Sequence, residues 1–308
     1  MLGHTLLAAS RKPPVRRLVT SAGVSRRLVD RFVAGDGLDD AVDTARNLLA
    51  DGLSVTIDHL GEDTHTLSQA TDTRDAYIAL LDVLGGFALT PGAEVSLKLS
   101  AIGQALPEDG HRVALDNARA ICLAAERAGS TVTLDMEDHT TVDSTLAILR
   151  ELRHDHPWVG VALQSALHRT EADCAALAHT GSRVRLVKGA YAEPATVAHQ
   201  RKADVDLAYV RCLKTLMAGG GYPMVATHDP RMIAITEHLV AATGRAATSY
   251  EFQMLHGIRV TEQHRLRDAG AQVRVYLPYG SDWYGYFMRR LAERPANLTF
   301  FLRSLFSR

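Results

Sequence analysis

Cysteine is scarce in this 308-residue sequence: Cys122, Cys174 and Cys212 stand singly in helix-like surroundings, without the spacing of a metal knuckle or an even-numbered disulfide framework. They suit a reducing compartment. No apolar run approaches the roughly 20 residues that span a bilayer. Neither sign of charge is in excess, with 34 Lys and Arg against 35 Asp and Glu, so no positive field awaits a polyphosphate backbone and nucleic acid is not expected as a partner. The 14 histidines form no HExxH and no close pair with a carboxylate, which argues against a metal. A G-x-S-x-G elbow is missing, and the cysteines fall away from strand ends, which disfavours an acyl-transfer nucleophile. Also absent are a G-x-G-x-x-G turn after the first strand-like run, SVTIDHLGEDT, and any linker rich in Pro, Gly or Ser.

What is present is a repeat. From residue 53 a short β-branched run is followed, eight times, by an Ala/Leu-rich stretch with helical spacing. The runs are SVTIDHL (54–60), VSLKLSA (95–101), TVTLDME (131–137), VGVALQS (159–165), VRLVKGA (184–190), PMVATHD (223–229), YEFQML (250–255) and VRVYLPY (273–279). Runs this continuously apolar suit parallel strands covered by helices. Eight β/α units predict one closed α/β barrel rather than a doubly wound sheet, over residues 37–308. Residues 1–36 lie outside the repeat as an N-terminal helical arm. Residues 1–29 hold six Lys or Arg and no acid; an arm, a contact with an anionic membrane and a transit segment all fit that pattern.

In such a barrel the reacting groups stand at the C-terminal strand ends. Strand two supplies Lys98, strand three Asp135 and Glu137, strand four Gln164, strand five Arg185 and Lys188, strand six Thr227 and His228, strand seven Gln253 and strand eight Tyr276. A single charge in such a position is usually half of a buried ion pair, and Lys98 is expected to pair with Asp135. Beyond the strands, YGYFMRRLAERPAN (284–297) sets Tyr286, Arg289, Arg290 and Glu293 on one helix face at i, i+3, i+4 and i+7. The surplus of positive charge predicts an anionic ligand. The residues alone leave three readings open: Schiff-base chemistry through Lys98 or Lys188, as in a lyase, chemistry carried by a cofactor, or a binding protein without catalysis.

RLVKGAY (185–191), SLKLSA (96–101), ATHDP (226–230), YEFQMLHG (250–257) and YGYFMRRLAERPAN resemble, in order along the chain, the flavin-dependent proline dehydrogenases. The likeness covers most of the sequence and points to the short, single-function bacterial form. It implies a distorted (βα)8 barrel, TIM-like, whose last helix lies over the barrel mouth. It implies FAD as cofactor, L-proline as substrate and a quinone as electron acceptor, with hydride transfer from proline C5 to flavin N5. It also implies hand-off of the product to a separate pyrroline-5-carboxylate dehydrogenase, and a cytoplasmic location with peripheral contact at the inner membrane. Carried over residue by residue, Arg289, Arg290 and Lys98 would clamp the carboxylate. Asp135 and Tyr276 would border the substrate, and Tyr191, Leu255 and Tyr286 would wall its ring. Arg185 would lie near the flavin N5. Met136, Gln164, Lys188, Gly189, Ala190, Thr227 and His228 would hold the flavin and its tail, with Arg201 and Lys202 toward the pyrophosphate. One departure follows RLVKGAY: Ala192 and Glu193 stand where some members carry a Trp.

Overall fold

The structure, a computed structural model, describes residues 29–62 and 64–293, the side chains of the last three excepted. The expected arm over residues 1–28 and the side chain of Glu293 therefore lie outside the described residues. Eight parallel strands close into a barrel in chain order: β1 (Ser54–His59), β2 (Ala93–Leu97), β3 (Val132–Leu134), β4 (Gly160–Gln164), β5 (Arg183–Val187), β6 (Tyr222–Ala226), β7 (Glu251–Leu255) and β8 (Val273–Tyr279). All eight expected runs are strands, and β8 pairs back onto β1 from Ser54↔Arg274 to His59↔Tyr279. No helix among the described residues is long and apolar enough to cross a membrane.

Nine helices are described: α1 (Leu38–Ala50), α2 (Leu67–Gly86), α3 (Gly110–Ala128), α4 (Val142–Asp155), α5 (Thr170–Leu177), α6 (Lys202–Ala218), α7 (Pro230–Thr243), α8 (Val260–Asp268) and α9 (Trp283–Glu293). Their starts follow local chemistry. Thr66 caps α2 through a reciprocal bond with Gln69, and Asp229 caps α7 with Pro230 in its first turn. Helix α1 precedes the first strand and packs on β8 and β1. It covers the stretch of wall left bare because α9, the helix following β8, turns across the mouth, where its Tyr286, Arg289 and Arg290 line the central cavity.

The period-2 alternation of the strands divides the barrel into two worlds. Outward residues such as Val55, Ile57, Val95, Leu97, Val161, Val184, Phe252 and Val275 are buried under the helices in one large apolar cluster. Inward residues are polar and meet across the barrel axis. At the bottom Glu94 accepts from Thr56 (2.8 Å), Thr131 (2.6 Å) and Arg183 (2.6 Å), with Arg185 and Arg274 each at 3.8 Å. Arg274 is held in turn by Glu251 at 2.8 Å. Burial pushes the Glu94 carboxyl up, but the guanidiniums of Arg183, Arg274 and Arg185 outweigh it and hold the group far below the usual carboxylate range.

A smaller apolar cluster lies on the mouth side. Val29, Phe32 and Val33 pack with Leu60, Ile258, Trp283, Tyr286, Phe287 and Met288. The segment is pinned by its backbone as well, with Ala34 N–H donating to Pro278 O and Gly280 N–H to Gly35 O, both at 2.9 Å. It passes so close to Gly257 (φ +70°) that a Cβ there would lie 1.8 Å from Arg31 O.

Removing the Glu94 charge strands Arg183 without its closest anion in a dry interior. Glu94→Gln should therefore lower the free energy of unfolding by about 3–5 kcal/mol, read as a drop in the urea midpoint at constant slope. A cost below about 1 kcal/mol, the scale of an exposed pair, would show that the arginines are solvated by other means.

Candidate active site

The inward residues near the C-terminal strand ends form the floor of a cavity of about 560 Å3. Asp135, one residue past β3, is its centre. One carboxylate oxygen accepts from Arg185 Nη1 (2.5 Å) and Ser96 Oγ (2.8 Å), the other from the Tyr276 hydroxyl (2.7 Å). Burial and the Asp135 charge push the Tyr276 phenol well above its ordinary pKa, so it remains a donor. Arg185 is anchored further by Gln253 (2.6 Å) and lies over the Tyr276 ring at 5.3 Å. These residues come from β5, β7 and β8 and the ends of β2 and β3, so only barrel closure assembles them.

Lys98 does not pair with Asp135 as expected. Its ammonium donates to Asp58 Oδ2 at 2.8 Å; β1 and β3 both flank β2, but Asp135 at the end of β3 is already engaged by Arg185, Ser96 and Tyr276. Burial lowers the Lys98 pKa, but Asp58, followed by Asp135 and Glu62, raises it further, leaving it above the ordinary lysine value. Arg289 pairs with Glu62 of the β1–α2 loop, at 2.6 and 3.2 Å. Burial raises the Glu62 carboxyl and Arg289 lowers it more, so Glu62 sits below the usual range. Arg290 stacks its guanidinium over the Tyr286 ring at 5.1 Å. Tyr191 and Leu255 join α9 in the cavity wall.

The same cavity is lined by Met136, Gln164, Lys188, Gly189, Ala190, Lys202, Thr227 and His228. Lys188 Nζ is held by Asp206 (2.5 Å) and Asp229 (2.9 Å), and Lys202 reaches the same two carboxylates. His228 Nε2 accepts from Leu255 N–H at 2.9 Å. Every cavity-lining candidate named from the sequence is thus brought to one site. Two named residues stay outside it: Arg201 is largely exposed, with Asp204 at 3.7 Å, and Glu137 is buried, accepting from Ser100 Oγ at 2.7 Å.

With that geometry established, comparison with known proteins becomes decisive. Residues 41–303 match the sequence model of the family described as Proline dehydrogenase. The chain belongs to this family. It is 41% identical over 304 residues to the Proline dehydrogenase of Deinococcus radiodurans, covering 97% of this chain and 96% of the relative. It is 39% identical over 305 residues to Proline dehydrogenase 1 of Bacillus subtilis strain 168, covering 99% of each. Among solved structures, proline utilization A (PutA) from Bdellovibrio bacteriovorus inactivated by N-propargylglycine superposes with a TM-score of 0.80 at 23% identity; the match takes in 94% of this chain and 36% of that one, and shows the shared barrel.

For a chain of the proline dehydrogenase family the residues present fit a bound flavin. Gly189 has φ +109°, and a Cβ there would press on Gln164 Oε1 at 3.0 Å and Ala166 at 3.2 Å, so glycine keeps the rim low beside Gln164. Lys188, Lys202 and His228 supply the cationic and donor groups an anionic tail requires. The departure after RLVKGAY has a structural role: Glu193 binds the backbone N–H and the ring of His139, tying the loop after β5 to the loop after β3.

Four participants were not named from the sequence. Asp58 ends an apolar strand with the same signature as Lys98, but the inventory of strand ends began at strand two. Glu62, Asp206 and Asp229 lie in a loop, a helix and a cap, where an acid gives no periodic signal.

Burial pushes His256 below the ordinary histidine pKa, so the fold favours its neutral form. The unfolded chain then takes up the proton first, and the contribution is fully present above about pH 6.5 and lost as pH falls below it. The melting temperature of the parent should fall relative to that of His256→Gln between pH 7 and pH 5. Parallel curves would show that His256 titrates alike in both states.

Proposed function

We propose that this protein oxidises L-proline to 1-pyrroline-5-carboxylate with FAD as its redox cofactor, residues 37–308 forming the catalytic barrel and residues 1–36 an arm beside it. The observation that carries this reading is the pairing of two chemistries in one cavity: cations from α9 and the end of β2, together with Gln164, Lys188, Thr227 and His228 from the ends of β4, β5 and β6. Arg289, Arg290 and Lys98 clamp the proline carboxylate, the guanidiniums offering planar multidentate recognition. Asp135 and Tyr276 border the substrate. Tyr191, Leu255 and Tyr286 enclose the pyrrolidine ring and keep water from C5. Met136, Gln164, Lys188, Gly189, Ala190, Thr227 and His228 hold the flavin, and Arg185 balances negative charge beside it.

When bound, FAD supplies a two-electron acceptor for the hydride from proline C5 and passes the electrons on to a quinone. The amine gives up its proton so that its lone pair forms the C5=N bond as the C5–H bond breaks. What the chain contributes is position and electrostatics, not a covalent step. A quinone acceptor agrees with a cytoplasmic protein in peripheral contact with the inner membrane. The product would then pass to a separate pyrroline-5-carboxylate dehydrogenase.

The ion pairs speak against Schiff-base catalysis. Burial lowers the Lys188 pKa, but Asp206 and Asp229 raise it more, and Lys98 is likewise kept charged by Asp58. An amine nucleophile must be neutral.

Purified protein should be yellow, and anaerobic L-proline should bleach its flavin bands. Acid precipitation should release the colour, since no Cys among the cavity-lining residues offers a linkage. Colourless protein that binds proline unchanged would overturn the oxidation. For the clamp, Arg289→Lys and Arg290→Lys should each cost about 1.5–3 kcal/mol, roughly ten- to hundred-fold in kcat/KM, at equal flavin content and melting temperature. An uncharged proline ester should be a poor substrate of the parent and lose little further in Arg290→Lys. Parent-like kinetics in both variants would remove the arginines from substrate binding.

A further inference from the structure

One buried charge at the cavity floor has no part in the chemistry above. Asp58 is 1% exposed, yet it lines the cavity. One oxygen accepts from Lys98 Nζ at 2.8 Å, and the other lies 3.3 Å from the Tyr77 hydroxyl. Tyr77, fully buried on α2, has a single hydroxyl proton, which either the Ser96 carbonyl at 2.8 Å or Asp58 can accept, and its oxygen accepts from His59 N–H at 3.2 Å. Asp58 is therefore a buried carboxylate backed by Tyr77 and offered to one ammonium in front.

The other charges inside the barrel differ in one respect. Glu94, Glu251, Arg183 and Arg274 neutralise one another below the floor and do not line the cavity. They are structural pairs, closed on themselves. Lys98 donates only to Asp58 among the described residues, which leaves two of the three N–H donors of its ammonium for a ligand.

We propose that Asp58 is a positioning residue for substrate recognition: its carboxylate fixes the Lys98 ammonium at the cavity floor, charged and with its remaining donors directed to the carboxylate of a bound amino acid. The proposal rests on the reading of Lys98 as a carboxylate ligand. Four further groups interact with the ammonium. Asp135 from the end of β3 and Glu62 from the β1–α2 loop add negative charge, while Tyr191 from the loop after β5 and His59 beside Asp58 feel its field. Asp135 is occupied by Arg185 and Tyr276, and Glu62 by Arg289. Asp58 alone is bonded to Lys98. Without it, burial is the strongest remaining influence on the ammonium, and burial favours the neutral amine, which no longer attracts an anion.

The sign is then fixed. In the parent, Lys98 has a pKa above the ordinary lysine value and stays charged through the range in which the protein can be handled. In Asp58→Asn, which is isosteric and retains a partner for Tyr77, the Lys98 pKa should move down into that range. Recognition of a carboxylate should acquire a high-pH limb, falling tenfold per unit above the new pKa.

The probe is tetrahydrofuran-2-carboxylate, in which a ring oxygen replaces the proline nitrogen. It has no amine to titrate and no C–H made labile by one, so its binding reports the carboxylate pocket alone. Equilibrium dialysis of the flavin-loaded protein between pH 7 and pH 10 should give nearly constant affinity for the parent. Asp58→Asn should bind more weakly at pH 7 and lose affinity further as pH rises. The double variant Asp58→Asn/Lys98→Met should bind weakly at every pH with no limb. A parent-like flat profile in a folded Asp58→Asn protein overturns the proposal, and so does a limb that survives in the double variant.

A measurement on the parent protects the test against an Asp58→Asn protein that does not fold. With 13C-labelled lysine, the Lys98 Cε resonance, assigned by its absence in Lys98→Met, should not titrate below pH 11. Titration at or below the ordinary lysine value of about 10.4 overturns the proposal. Failure of the underlying reading looks different: the parent itself would neither bind the probe nor oxidise proline.

Discussion

A closed parallel barrel fills its interior with side chains, so a charge placed there must be balanced by other side chains, and this barrel contains a column of charges. That constraint governs everything above it. At the bottom Glu94 draws Arg183, Arg185 and Arg274 toward one point. Because Arg185 is drawn down by Glu94 and sideways by Gln253, its Nη1 meets Asp135, and Asp135 in turn receives the Tyr276 hydroxyl. The chain of pairings runs from the structural end of the barrel to the floor of the site. Each member is oriented because the member below has left it a single unsatisfied direction. The site is precise because the interior had to be neutral first.

The same constraint explains why the mouth is built from different material. Above the floor two further cations, Arg289 and Arg290, are brought to the cavity by α9, a helix that follows the barrel rather than belonging to its wall. Helix α1, placed before β1, fills the outer position that α9 vacates. Moving one helix inward brings Tyr286, Arg289 and Arg290 to the cavity at the cost of one covering element, which the chain replaces from its other side.

Much of this was legible in the linear sequence because the two faces of a strand obey different rules. Outward positions such as Ile57, Val95 and Val184 carry the branched aliphatics that announce a helix-covered strand, so all eight strands were recognisable. Polar residues interrupting those runs, from Lys98 to Tyr276, marked the interior. The pairing of those residues was not legible. Lys98 with Asp58, and Arg289 with Glu62, are choices made by register and by the prior claims on Asp135, and neither exists until the barrel has closed. Position in a loop hid Glu62 altogether. The role of α1 escaped for a similar reason: its helical pattern is visible, but the vacancy it fills is a property of the finished fold.

The apolar cluster that joins Phe32 to Phe287 ties the beginning of the described chain to its end. During synthesis Val29, Phe32 and Val33 leave the ribosome early and wait, uncovered, until the whole barrel and then α9 have been made. All eight strands can pair before that moment, but the helix bearing both arginines cannot settle over the mouth. A nascent barrel therefore lacks the wall that α9 brings to the cavity, and the cavity is completed last, when α9 docks against residues 29–33.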